Sequence, residues 1–291
     1  MLCRPFITLA GLVNLIQQRV IFKQVKSALI YSNLWVAFSV ATLTCVAAIH
    51  LNWWNIRSFL FNFCIAYTGY NYIYWSVYFL SPEKIKVRRC SWMKKHQSVV
   101  ISSSLITALA AILIFLKSTN INHFALITFI CLSVTYVIPG KGNRGIRFIP
   151  FLKILIIAIS MTLLITIYIP LEILSDNKIL FIALFAFIVA YTIPFDIRDL
   201  KSDPKQLKTI PQLIGTSHSV RLSQTIVIVV ISILSFKSNN ALIYVANLLF
   251  GILSLIAFEK VKHNSNRDYI NFYIEGLPVW WLILLLLPAL V

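Results

Sequence analysis

Acidic residues are scarce in this chain, which has 9 Asp and Glu against 26 Lys and Arg in 291 residues. Charged residues make up only 12% of the sequence, which is about half the share found in an ordinary soluble domain. Disordered proteins combine high charge with few apolar residues, whereas 59% of this chain is hydrophobic. The composition therefore excludes a disordered chain, a collagen-like repeat and most soluble folds, and it indicates a polytopic membrane protein.

Paired cysteines are also missing. The five cysteines show no CxxC spacing, and most of them lie within apolar stretches. We therefore expect buried free thiols rather than a disulfide framework or a zinc site. The residues concerned are Cys3, Cys45, Cys64, Cys90 and Cys131.

Nine apolar segments follow one another along the chain. A bilayer core of about 30 Å requires roughly 20 apolar residues in a helix that spans it. The sequence therefore predicts an all-α polytopic membrane protein with nine transmembrane helices. The predicted spans are 28–49, 56–80, 98–117, 121–139, 149–170, 178–195, 222–236, 240–258 and 274–291.

Basic residues lie mostly on one side of these spans. Of the 26 Lys and Arg residues, 21 fall in the connections of that side. Cytoplasmic loops are enriched in Lys and Arg, so the pattern predicts an inner or plasma membrane protein with a cytoplasmic N-terminus and an external C-terminus. Topology and contact with membrane lipid explain the net charge of +17, and no nucleic-acid partner is expected. The opposite side receives Arg57, Lys117, Lys178 and Lys237.

The residues before the first predicted span contain an apolar stretch that ends in polar side chains around Arg19. No A-x-A-like cleavage site follows it, so a helix lying at the membrane interface is favoured over a cleaved signal peptide. We therefore divide the chain into an N-terminal interfacial segment, 1–27, and a nine-helix transmembrane domain, 28–291. The tryptophans near span ends are interpreted as interface anchors, and they are Trp53, Trp54, Trp280 and Trp281.

Three of the nine acids lie within eight residues at the cytoplasmic end of the sixth predicted span, namely Asp196, Asp199 and Asp203. Spacings of three and four place them on one helix face, where like charges repel each other. A divalent cation would offset the repulsion, and Mg²⁺ is typically held by one or two carboxylates together with substrate phosphates. The alternative is a solvated helix end that is neutralised by neighbouring basic residues.

The acidic pattern is similar to a known motif. Asp196-x-x-Asp199-x-x-x-Asp203, followed by Lys208-Thr and by Gly215, resembles the second aspartate-rich motif of UbiA-type intramembrane prenyltransferases. In that family the motif follows the sixth span, and nine helices surround a lipid-facing cavity. The basic segment after Tyr-Val-Ile-Pro, residues 136–139, resembles the family's loop between the fourth and fifth spans.

The resemblance implies transfer of a prenyl group from an isoprenyl diphosphate to a lipophilic acceptor, with Mg²⁺ as cofactor. It implies that Asp199 and Asp203 are catalytic and that, with Asp196, they hold the metal. Basic side chains would bind the diphosphate, and the resemblance assigns this role to Lys141, Arg144, Arg147 and Lys208.

The family's first acidic motif is expected near Asn71, and the sequence departs from it there. Asn71 is matched, but the positions of the two acids hold Trp75 and Phe79. Asn71 and Trp75 are therefore expected in the substrate pocket. A catalytically inactive relative that binds an isoprenoid or a membrane partner remains an alternative, as does a transporter. The predicted spans contain no obvious charged path, and this counts against a transporter.

Overall fold

The computed structural model describes residues 21–22, 24–80, 88–137, 151–203, 207–238, 240–263 and 267–287. Every regular element in these ranges is helical, which confirms the all-α fold class for the described part of the chain. A helical stretch at 24–31 comes first. It is followed by α1 (Leu34–Leu51), α2 (Ile56–Leu80), α3 (Arg88–Lys95), α4 (Gln97–Leu116), α5 (His123–Val137), α6 (Leu152–Thr166), α7 (Leu171–Asp176), α8 (Lys178–Asp199), α9 (Ile210–Lys237), α10 (Ala241–His263), α11 (Arg267–Tyr269), a π-helix (Ile270–Ile274) and α12 (Leu277–Leu286).

Six of the described helical segments are long and apolar enough to cross a membrane, as judged by length and composition. They are α1, α4, α8, α9, α10 and the continuous segment Arg267–Leu286. The helices α5 and α6 are apolar but shorter, while α2 has the length but carries many Tyr and Asn side chains. The structure therefore indicates a membrane protein and does not establish the predicted count of nine spans.

The first predicted span, 28–49, is interrupted at Asn33, which adopts a left-handed conformation with φ of 64°. Asn tolerates this conformation better than most residues. The buried Asn33 side chain donates a hydrogen bond from Nδ2 to Oδ1 of Asn71, at 2.7 Å. This bond ties the start of α1 to the middle of α2. Most of the predicted interfacial segment, 1–27, lies outside the described residues.

The buried core has two apolar clusters, and α1 contributes to both. The larger cluster joins α6, α8, α9, α10 and α12, and the smaller one joins α2, α4, α5 and the end of α6. Large apolar side chains on α4, α5 and α10 face outward instead. Apolar faces of this extent are expected to meet lipid, because soluble proteins rarely expose them. The bundle is therefore organised around α1 and α8.

Trp281 is not an interface anchor, and that interpretation is wrong for this residue. Its ring is fully buried and stacks on Phe250, with the ring centroids 4.5 Å apart. The indole nitrogen donates a hydrogen bond to Oδ1 of Asn247, at 3.0 Å. A buried Trp needs such an acceptor for its N–H group. The residue therefore holds α12 against α10.

Trp35 of α1 packs against the π-helix and Gly276, just before α12 begins. The indole of Trp35 stacks on Phe272, with centroids 4.9 Å apart, and its Nε1 donates to the Phe272 carbonyl at 2.9 Å. A Cβ atom on Gly276 would lie 2.5 Å from Cζ2 of Trp35 and 2.7 Å from that carbonyl oxygen. The position therefore requires glycine because the indole of α1 fills the space of a side chain.

We expect Gly276→Ala to lower the melting temperature of the detergent-purified protein. The added methyl group would displace the Trp35 indole, and overpacking of this kind costs about 1–3 kcal/mol. Thermal unfolding followed by circular dichroism or intrinsic fluorescence measures the change.

Gly69→Ala is the matched control for this substitution. A Cβ atom on Gly69 would meet no atom within 4 Å, and Ala is favoured over Gly within a helix by roughly 1 kcal/mol. We therefore expect an unchanged or higher melting temperature. A Gly276→Ala protein as stable as the wild type would contradict the packing described for Trp35.

Candidate functional site

The acidic cluster lies where α8 ends. Asp196 belongs to the last turn of the helix, Asp199 is its final residue, and Asp203 follows after a short turn. The backbone N–H of Asp203 donates to the carbonyl of Asp199 at 2.8 Å, which continues the helical path beyond the helix end. Asp203 therefore lies about two helical turns beyond Asp196, on the same side.

Lys153 of α6 binds both of these carboxylates. Its Nζ atom is 2.7 Å from Oδ1 of Asp196 and 3.4 Å from Oδ2 of Asp203. The Asp196 side chain is only 3% exposed, whereas that of Asp203 is 17% exposed. A buried carboxylate requires a nearby positive charge or its neutralisation. Lys153 supplies this charge and joins α6 to the end of α8.

Asp199 has a different partner. The guanidinium of Arg198 binds it through two hydrogen bonds, Nε to Oδ1 at 3.0 Å and Nη2 to Oδ2 at 2.6 Å. The remaining donor, Nη1 of Arg198, contacts Oδ1 of Asn271 in the π-helix. Arg267 lies at the edge of this group, 4.0 Å from Asp199. The structure thus divides the three aspartates between two cations.

The described residues contain no group of three His, Cys, Asp or Glu side chains that could hold a metal ion. Within these residues, Asp199 pairs with Arg198, whereas Asp196 and Asp203 share Lys153. The neighbouring cavity, lined by Lys153, Asp196, Leu207 and Thr209, has room for about one water molecule.

The other predicted site residues differ in their burial, and some of them lie outside the described residues. Asn71 is fully buried and is engaged by Asn33, while Trp75 lies partly buried one turn further along α2. Lys208 is exposed and adopts a left-handed conformation with φ of 45°. The remaining predicted diphosphate ligands, Lys141, Arg144 and Arg147, lie outside the described residues.

Two charged residues inside the bundle were missed as candidates by the sequence analysis, Arg89 and Glu275. Arg89 is 6% exposed, and Glu275, in the turn between the π-helix and α12, is 5% exposed. Arg89 is one of the 21 basic residues of the predicted cytoplasmic side, and the structure buries its side chain. Its Nη1 donates to the hydroxyl of Tyr74, and its guanidinium lies 4.7 Å from the centre of that ring.

Glu275 carries a signal that the sequence does contain, because it lies in the predicted span 274–291, whereas Arg89 lies in a basic connection and carries none. Ionisable side chains at membrane depth are costly and are commonly functional. Lys153, which lies at the start of a predicted apolar span, has the same signal. Sequence alone does not pair such residues, because partners can be distant along the chain, as with Lys153 and Asp196, which are 43 positions apart.

No family model, no curated protein and no solved structure matches this chain. A functional assignment therefore depends on the chemistry of the residues themselves.

We expect Lys153→Met to destabilise the protein, because it leaves the carboxylate of Asp196 buried without its partner. Removing one member of a buried ion pair costs about 3 kcal/mol or more. The double substitution Lys153→Met with Asp196→Asn removes both charges and is expected to recover much of the loss. Thermal unfolding of the single and double variants in detergent measures the coupling.

Lys201→Met is the control, since Lys201 is exposed in the turn just after α8. We expect its melting temperature to match that of the wild type. A double variant that is as unstable as Lys153→Met alone would contradict the assigned pairing.

Proposed function

We propose that this chain is a UbiA-like bundle of nine membrane-spanning helices that binds an isoprenoid lipid without transferring its prenyl group. The observation that carries the proposal is that every aspartate of the acidic motif is bound by a basic side chain. Lys153 binds Asp196 and Asp203, and Arg198 binds Asp199. Lys153 and Arg198 thus bind the carboxylates that the family resemblance assigns to Mg²⁺.

The donor set has the chemistry that Mg²⁺ prefers, since carboxylate oxygens are its usual protein ligands. The arrangement does not fit the metal, however. Mg²⁺ would have to displace Lys153 from a carboxylate that is 3% exposed and Arg198 from a two-point contact with Asp199. Bidentate arginine–carboxylate pairs are among the stronger contacts of this kind. We therefore derive no step through Mg²⁺.

The missing first motif supports the same proposal. The expected acids are replaced by Trp75 and Phe79, and the matched Asn71 is fully buried in a hydrogen bond with Asn33. In this reading Asn71 stabilises the contact between α1 and α2. An apolar indole in place of a carboxylate favours contact with a hydrocarbon chain over contact with a metal–diphosphate complex.

Prenyl transfer is the second candidate, and one observation favours it. The carboxyl group of Glu275 lies close enough to Arg198 for their charges to attract, and Arg198 also binds Asp199. Acids from two separate parts of the chain are therefore linked through Arg198, as a two-motif enzyme would require. In this candidate Asp199 and Asp203 are catalytic, and Lys141, Arg144, Arg147 and Lys208 bind the diphosphate.

We expect the purified protein in lipid nanodiscs to bind isoprenoids equally well with Mg²⁺ and with EDTA. The probes are geranyl, farnesyl and geranylgeranyl diphosphates and the matching alcohols, and native mass spectrometry detects the bound lipid. A coupled assay for inorganic diphosphate is expected to show no release above that of empty nanodiscs, with or without a phenolic acceptor.

Asp199→Asn and Asp203→Asn are the variants that separate the two candidates. Diphosphate release that requires Mg²⁺ and disappears in both variants would overturn the proposal and establish prenyl transfer. Failure of the wild-type protein to retain any of the six probes would overturn isoprenoid binding itself.

A further inference from the structure

An open groove runs from the end of α3 along the first turns of α4, and we refer to it as the basic groove. Its volume is about 460 Å³, which is within the range of small-ligand sites, roughly 300–1,000 Å³. The paired charges at the end of α8 do not line it, so it is a separate feature of the bundle. The lining includes Lys94, Lys95, Gln97, Ser98, Ile101 and Leu105.

The short helix α3 fixes the basic end of this groove. Arg89 and Met93 are four residues apart, so they lie on one side of α3, and both are buried. Arg89 also donates a hydrogen bond to the hydroxyl of Tyr74 on α2. Lys94 and Lys95, the last two residues of α3, are exposed. The buried side of α3 therefore anchors the helix and leaves the two lysines at the groove.

The positive charges of Lys94 and Lys95 are not matched by carboxylates in the part of the chain that the structure describes. The ion pairs within that part include neither lysine. An anion that enters the basic groove would therefore meet two adjacent positive charges without having to displace a carboxylate. In this respect the groove differs from the end of α8, where each cation is already bound to an aspartate.

The rest of the basic groove follows an apolar face of α4. Ser98, Ile101 and Leu105 are spaced by three and four residues, so they lie on one face of that helix. Ile101 is 39% exposed and Leu105 is 66% exposed. In the whole of α4 only Val100 and Ala111 are buried, and the helix is long and apolar enough to cross a membrane. This face is therefore expected to meet lipid chains.

The combination of a basic end and an apolar face favours a lipid over a soluble anion. Lysines at the end of a membrane-spanning helix lie at the level of the lipid head groups. Basic residues next to a span attract anionic lipids, particularly on the cytoplasmic side, where the sequence predicts these two lysines. A soluble anion would contact only the basic end, whereas a phospholipid would also cover Ile101 and Leu105.

We propose that the basic groove binds an anionic phospholipid. The phosphate of its head group lies at Lys94 and Lys95, and one acyl chain lies along Ile101 and Leu105. The hydroxyl of Ser98, between the basic end and the apolar face, donates a hydrogen bond to a head-group oxygen. This site does not depend on the proposed isoprenoid binding, because it lies on the outer surface of the bundle.

The test uses the delipidated full-length protein in a neutral detergent, in which no charged bilayer surface attracts the probes. Native mass spectrometry measures the affinity of the first bound lipid for phosphatidylglycerol and for phosphatidylcholine with the same chains. Each lysine near a head group contributes roughly fivefold, so the wild type is expected to prefer phosphatidylglycerol about twentyfold. The double variant Lys94→Gln with Lys95→Gln is expected to lose this preference and to bind phosphatidylcholine as the wild type does.

The double variant Lys117→Gln with Lys178→Gln is the matched control. It also removes two exposed lysines, one directly after the far end of α4 and one at the start of α8, and neither lines the basic groove. It is expected to keep the wild-type preference for phosphatidylglycerol. Both double variants are expected to unfold at the wild-type temperature, because all four lysines are exposed.

Three outcomes overturn this inference. If the wild type binds the two lipids equally, or if the Lys94 and Lys95 variant keeps the preference, the groove is not an anionic lipid site. If the control variant loses the preference to the same extent, the attraction comes from the net charge of the protein. If inorganic phosphate at the same concentration displaces phosphatidylglycerol, the groove binds free anions instead of lipid.

Discussion

The carboxylate of Asp196 is buried at the end of an apolar helix, and its need for a positive charge constrains the rest of the site. Lys153 meets that need at 2.7 Å and also contacts Asp203. Because the two charges belong to α6 and α8, their pairing fixes the relative position of these helices at this end of the bundle. The contact also leaves Asp199 to Arg198, and Arg198 in turn reaches the π-helix through Asn271. The pairing of one buried carboxylate is thus linked to the positions of the neighbouring charged side chains.

The helices could be predicted from the sequence, because length and hydropathy act locally. The predicted segment 56–80 coincides with α2, and the predicted segment starting at 178 begins where α8 begins. The prediction for α9 was less complete: the helix begins at Ile210 and continues through a kink at Gly215, whose φ of 78° suits glycine. A window that searches for apolar residues does not register the polar first turns of such a helix.

The partners in the site could not be predicted, since they depend on which helices pack together. The spacing of Asp196, Asp199 and Asp203 is compatible with one shared face, but side-chain direction and neighbouring cations assign them to two groups. Trp281 illustrates the same limit, because a tryptophan near a span end is identical in sequence whether it meets lipid or packs on Phe250. The burial of Arg89 could not be predicted for the same reason.

The paired charges at the end of α8 form two groups, one around Lys153 and one around Arg198. Around Lys153, one cation serves two carboxylates, of which the more exposed, Asp203, can also be solvated. Around Arg198, one guanidinium binds the carboxylate of Asp199 through two hydrogen bonds. The group around Lys153 keeps one excess negative charge, but its deeper carboxylate, Asp196, is only 3% exposed and is bound by the lysine at 2.7 Å. A divalent cation would therefore have to displace that lysine. Breaking a buried ion pair is costly, and this cost is the physical reason for preferring lipid binding over prenyl transfer assisted by a metal.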